Sequence, residues 1–148
     1  MPVLLGVVSS CTHRQDEIRV MTFNIRLDTP VDSMNNWKYR RENAARMIRF
    51  YDADLLGTQE VLHNQLQDLL ALLPEYGFTG VGRKDGKTEG EYSALFYRKS
   101  RFELLKTGNF WLSQTPEVPG SMGWDAVCER MVTWGIFKDR ETGKKFAA

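Results

Sequence analysis

The chain has little cysteine and little histidine, two of each in 148 residues. The cysteines lack the paired spacing of a zinc site and are too few for a disulfide framework, which excludes both of those scaffolds. It also lacks an excess of either charge, since Lys+Arg 20 against Asp+Glu 19 leaves a formal net charge of +1. No overall basic field advertises nucleic-acid binding, so any recognition of phosphate has to be local. No segment approaches the roughly 18 apolar residues that span a bilayer, and there is no internal repeat or low-complexity tract. What remains, 42% hydrophobic and 26% charged residues, is the make-up of one soluble globular domain.

The first 17 residues stand apart. Cys11 follows the apolar run Val3-Leu4-Leu5-Gly6-Val7-Val8 and the small residues Ser9-Ser10, which resembles the end of a bacterial lipoprotein signal, where the cysteine is lipidated. No Lys or Arg precedes the run, and it is shorter than the roughly 7–15 residues of a usual signal core. Residues 1–17 are therefore expected to be a truncated leader and spacer. They imply anchoring through Cys11 in the bacterial cell envelope, or a secreted or periplasmic protein.

Residues 18–148 carry the pattern of an α/β domain. Ile18 to Ile25 is β-branched and aromatic enough to predict a strand largely buried on both faces. After a loop rich in Asp, Pro, Ser and Asn, the residues Ala44, Met47, Ile48 and Tyr51 fall at i, i+3, i+4, i+7 and predict one face of a helix. Leu55 to Val61 reads as a second buried strand ending in polar residues. Leu62, Leu66, Leu69, Leu70 and Leu73 keep helical spacing until Pro74 forbids continuation. From Tyr76 onward the pattern becomes short β segments, at 76–81, 91–97, 101–110 and 131–137, and an antiparallel meander is expected. Lys138 to Lys144 reads as a hairpin connection whose outgoing strand is cut short at Ala148.

In open α/β sheets ligands gather beyond the carboxyl ends of the strands, and two predicted strands end near Asn24 and in Glu60. A carboxylate is the hard oxygen ligand that Mg²⁺ prefers, and one or two carboxylates with water and substrate phosphate suffice to hold the ion. A side-chain amide beside it can donate a hydrogen bond to a phosphoryl oxygen. On periodicity alone, such a pair at strand ends is more often a turn former and a surface charge.

The segments Met21-Thr22-Phe23-Asn24-Ile25-Arg26 and Leu56-Gly57-Thr58-Gln59-Glu60-Val61 resemble the first two motifs of the endonuclease/exonuclease/phosphatase superfamily. That superfamily includes pancreatic-type deoxyribonucleases, apurinic endonucleases, sphingomyelinases and inositol-polyphosphate phosphatases. Gly80 to Gly86, Gly90 to Tyr97, Phe110 to Ser113 and Gly123 to Cys128 are similar to a bacterial branch of secreted or envelope members. The resemblance implies the N-terminal half of a four-layer α/β sandwich with a mixed, largely antiparallel sheet. It implies a metal-dependent phosphoesterase using Mg²⁺ or Mn²⁺ on a nucleic acid, a phospholipid headgroup or a sugar phosphate; no protein partner is evident. By position, Glu60 corresponds to the metal-binding glutamate and Asn24 to the phosphate-orienting asparagine. Arg130 matches a phosphate-contacting arginine, Glu91 a second acidic position, and Arg83 and Asp85 a loop that approaches substrate. The family's later motifs, an Asn-Thr-His strand, a Gly-Asp-x-Asn turn and a closing Ser-Asp-His, have no counterpart in the sequence. The expectation is therefore of a partial domain, inactive or nearly so by itself.

Two near-matches fail on physical grounds. Glu60 and His63 have the spacing of a di-metal helix, but Glu60 reads as a strand-end residue and no second such pair exists. Gly82 to Thr88 resembles a P-loop with one residue too few between its glycines and no helix to follow it. Trp111 and Trp124 flank a loop containing Pro116 and Pro119, and serve either as sheet-edge packing or as stacking platforms. The stacking reading supports the alternative function, a non-catalytic envelope-anchored domain that binds glycans.

Overall fold

The structure, a computed structural model, describes residues 17–148; the leader with Cys11 lies outside the described residues. Strand β1 (Val20–Asn24) leads through a 3-10 segment at Pro30–Asn35 into helix α1 (Trp37–Phe50). Strand β2 (Leu55–Gln59) and helix α2 (His63–Leu72) follow, then strands β3 (Tyr76–Thr79), β4 (Leu95–Arg98), β5 (Phe102–Trp111), β6 (Met131–Asp139) and β7 (Lys145–Ala147). Asn36 caps α1 by accepting a hydrogen bond from the Lys38 N–H, and α2 ends two residues before Pro74, which has no N–H to continue the ladder.

Two sheets form. The first, in the order β1-β2-β4-β3, is mixed. Strands β1 and β2 run parallel, with Asn24 beside Gln59, while β2–β4 and β4–β3 are antiparallel. The second sheet, β5-β6-β7, is the expected antiparallel meander. Here the chain departs from the meander expected over all residues after Tyr76, because β3 and β4 return to the first sheet.

Period-2 alternation sends successive side chains of the first sheet to opposite faces. Leu56 and Phe96 meet Ala44, Ala45 and Ile48 of α1 and Leu66 and Leu69 of α2. Leu55, Leu95 and Tyr97 face the other way, onto Phe102, Leu104, Phe137 and Phe146. Tyr97 and Phe137 rings lie 5.3 Å apart. The described residues thus stack as helices, mixed sheet and antiparallel sheet. At one end, Arg101 bridges the two sheets, its guanidinium 2.7 Å from Asp54 and 3.6 Å from Asp139, with all three side chains nearly buried.

Two burial expectations are corrected. Strand β1 is not buried on both faces: Met21 and Phe23 pack on the helix side, but Val20 is 73% exposed. The second sheet packs beneath β3 and β4 through β6, leaving the far face of β1 uncovered. On α1 the buried stripe is Trp37, Ala44, Ala45 and Ile48, while Met47 and Tyr51 are exposed. The helix is rotated so that it touches α2 as well as the sheet.

Candidate active site

The parallel pairing of β1 and β2 brings their carboxyl ends together, and the two predicted residues there touch. The Asn24 amide donates to a Glu60 carboxylate oxygen at 2.7 Å, and the backbone N–H of Leu27 donates to the other at 3.1 Å. Glu60 adopts φ +60°, a left-handed conformation that costs a non-glycine residue about 1–2 kcal/mol. That turn takes Glu60 off the line of β2. Such strain persists only where the surroundings over-determine it, and here two hydrogen bonds hold the carboxylate. The Asn24 amide bond lowers the carboxyl's pKa most, followed by the Leu27 N–H; Arg26 and Arg83 add their positive charge, and partial burial opposes all of them.

The chain between the strand tips is stitched from behind. Fully buried Gln65, on the first turn of α2, donates to the Arg26 carbonyl at 2.9 Å and accepts from the N–H groups of Asp28 and Leu62 at 3.1 and 3.0 Å. Arg40 of α1 donates to the carbonyls of Ile25 and Arg26 at 2.7 and 3.2 Å. Arg26 forms a two-pronged pair with buried Asp32 at 2.8 and 2.6 Å. Side chains of the two helices thus hold the Ile25 and Arg26 carbonyls, the Asn24 side-chain oxygen accepts from the Arg26 N–H at 2.9 Å, and the Gln59 carbonyl accepts from the Ile25 N–H at 3.1 Å.

A cleft of about 410 Å³ opens beside this pair, lined by Asn24, Glu60, Arg83, Glu91 and Arg130 together with Gln59, Tyr92, Ser93, Leu112, Glu129 and Met131. Five of the six site residues expected from sequence are thus brought together. Arg83 grips Glu91 at 2.7 Å and lies 3.8 Å from Glu129, and its buried Nε has no hydrogen-bond acceptor. Burial, with the charge of Asp85, pushes the Tyr92 hydroxyl up. Asp85 itself is not among the lining residues. Its carboxylate accepts from the N–H groups of Lys87 and Glu89, so it shapes the loop rather than facing the cleft. Gly82 closes that loop against the backbone of Glu89, leaving no room for a Cβ.

Among the described residues no three His, Cys, Asp or Glu side chains converge as a metal cage. Mg²⁺ does not require one, because it keeps several waters and takes one or two carboxylates plus phosphate oxygens. An ionised Glu60, fixed on both oxygens and bordering an open cleft, fits that mode of binding. His63 does not join it: its Nδ1 lies 2.9 Å from the Tyr92 hydroxyl, outside the cleft lining.

Sequence reasoning missed Glu129, Gln59, Tyr92 and Gln65. Glu129 carries no signal beyond its place next to Arg130. Gln65 had one: it stands three residues past the α2 N-cap, the position from which a Gln side chain reaches back to the cap. Trp111, half of the stacking pair, is buried, and its indole N–H donates to the Arg83 carbonyl at 2.6 Å; Trp124 is exposed.

A layered α/β domain with an amide–carboxylate pair at its parallel strand tips defines the class, and comparison with known proteins gives the family. The endonuclease/exonuclease/phosphatase family model matches residues 21–124, and the chain belongs to that family, whose members are hydrolases acting on phosphoesters. The crystal structure of an endonuclease/exonuclease/phosphatase from Bacteroides vulgatus is 56% identical with a TM-score of 0.86, covering 88% of this chain and 50% of that one. A mannosyl-6-phosphatase from Bacteroides thetaiotaomicron is 44% identical with a TM-score of 0.85, covering 88% of this chain and 49% of that one. Among curated relatives, the 3'-5'-exoribonuclease subunit of the CCR4-Not complex from Neosartorya fischeri is 25% identical, covering 97% of this chain and 23% of the relative. The chain spans about half the length of the solved structures it resembles and less of the curated relatives.

Proposed function

We propose that these residues form the metal- and phosphate-binding half of a metal-dependent phosphoesterase. The observation that carries the reading is the 2.7 Å bond between Asn24 and Glu60 at the mouth of the cleft. Glu60 would hold Mg²⁺ or Mn²⁺; when bound, the ion would neutralise charge on the phosphoryl oxygens and polarise the ester. The Asn24 amide has two N–H groups; one is taken by Glu60 and the other is left for a phosphoryl oxygen. The fork of exposed Arg130 suits two phosphate oxygens. Arg83, tied to Glu91, sets the far wall and contributes positive charge.

Among the described residues no histidine lines the cleft, and the histidine motifs to which the family resemblance assigns the acid and base have no counterpart in the sequence. The chain of 148 residues then binds metal and phosphate with little or no turnover. A sugar phosphate is the favoured substrate class. Two arginines face three glutamates across the cleft, a balance that suits one phosphoryl group better than a polyanionic track, and a relative at 44% identity is a mannosyl-6-phosphatase.

Calorimetric titration with Mg²⁺ tests the site. The chain is expected to show saturable binding that Glu60→Gln weakens by at least about 10–100-fold, the scale seen when only an outer partner of a metal ligand is removed. Equal binding by both proteins contradicts the reading. The envelope location through a lipidated Cys11 belongs to the same proposal; loss of fatty-acid labelling in Cys11→Ser supports it, and an unlabelled wild-type chain refutes it.

A further inference from the structure

A second groove adjoins the cleft. Its volume is about 530 Å³, and it is lined by Phe110, Leu112, Trp124 and Glu117 together with Asn109 and Pro116. Leu112 lines both this groove and the cleft, so the two are neighbours on one surface. Trp124 is 68% exposed and held in a left-handed conformation, φ +53°. An apolar ring that is kept in water by a strained backbone is a ring available to a partner.

We infer that this groove is a subsite for an uncharged sugar ring attached to the phosphorylated one. The inference rests on the Asn24–Glu60 cleft holding the phosphoryl group. Its chemistry separates a sugar from a nucleic-acid strand. Phosphate contacts by Lys and Arg supply most nucleic-acid affinity, but the groove lining contains neither, and its one charged residue is Glu117. A strand leaving the cleft would bring its next phosphate towards a carboxylate. A neutral ring instead meets an aromatic platform with hydrogen-bonding groups beside it. The Asn109 carbonyl oxygen already accepts from the Thr133 hydroxyl at 2.8 Å, which leaves the amide N–H groups as donors to a hydroxyl. Exposed Glu117 supplies a carboxylate acceptor in the same lining.

Tryptophan fluorescence on the full chain reads binding of three probes: mannobiose, inorganic phosphate with Mg²⁺, and a short single-stranded oligonucleotide. Mannobiose is expected to bind. Trp124→Ala should weaken it about tenfold, the scale of one ring-packing contribution, while Trp124→Phe retains most of the affinity; both variants are followed by calorimetry because they remove the reporter. Phosphate binding should be unchanged in Trp124→Ala and lost in Glu60→Gln, which in turn leaves mannobiose binding intact. Mannobiose affinity that is unmeasurable, or indifferent to Trp124→Ala, overturns the subsite. So does an oligonucleotide that binds the groove more tightly than mannobiose. Should phosphate binding survive Glu60→Gln, the parent reading of the cleft fails instead, and the mannobiose result stands on its own. Phe110→Ala, at a 38% exposed position that lines the groove but not the cleft, repeats the test should Trp124→Ala fail to fold.

Discussion

Glu60 shows how one carboxylate is tuned by its neighbours. The Asn24 amide, then the Leu27 N–H, hold its folded pKa below the ordinary value of 4.5, so the folded state binds its proton less tightly than the unfolded chain does. The stabilisation from those bonds is therefore complete above about pH 4.5 and is lost as pH falls through the lowered value. Thermal unfolding of wild type and Glu60→Gln should differ by a constant amount from neutral pH down to about 4.5 and converge below it. A gap that closes above 4.5 contradicts the depressed carboxyl. The residues that make this environment were partly legible in advance. Asn24 and Glu60 were marked by their places at strand ends and by motif, but the Leu27 N–H is a backbone group whose aim depends on the left-handed turns at Arg26 and Glu60, which no side-chain pattern announces.

At the scale of elements, the site depends on helix α2 as much as on the strands. Gln65 satisfies three backbone groups of the segments around the site from a fully buried position. Gln65→Leu keeps the bulk and removes every bond, leaving the Asp28 and Leu62 N–H donors unpaired at about 1–3 kcal/mol each, while the Arg26 carbonyl keeps Arg40. Urea unfolding should show a loss of at least about 2 kcal/mol, and Mg²⁺ affinity should fall with it, because the Leu27 N–H loses its anchor. A stable variant with normal affinity would show that the loop holds itself. The elements were read more readily than their orientations. Pro74 and the leucine spacing located α2, and a β-branched and aromatic run located β1. The rotation of α1 was not legible, because Met47 and Tyr51 complete the predicted stripe by spacing, and only the presence of α2 alongside selects Ala45 in their place. Similarly, nothing local to Glu91 through Tyr97 says that β4 inserts between β2 and β3.

Across the whole molecule, the mixed sheet is shared between two cores, and the charged cluster at the end away from the cleft holds the layers in register. Among the described residues, Arg101 alone connects Asp54, just before β2, with Asp139, at the end of β6. Replacing Arg101 with Met leaves both carboxylates buried without their common partner. Asp54 keeps Arg98 at 3.7 Å and the Arg19 N–H at 2.9 Å, so the expected loss is about 3 kcal/mol, the lower end for a broken buried pair. Chemical denaturation measures it directly, and a loss under about 1 kcal/mol would mean the sheets are held by their aromatic contacts alone. The most direct test of the central claim, that the joined tips of β1 and β2 cradle a divalent ion, is paramagnetic broadening of amide resonances by trace Mn²⁺. The Asn24 side-chain amide and the Leu27 backbone N–H should broaden first, and Glu60→Gln should abolish the effect. Broadening that begins instead at the acidic cluster of Asp52, Asp54 and Glu141, or that survives the substitution, would contradict the account.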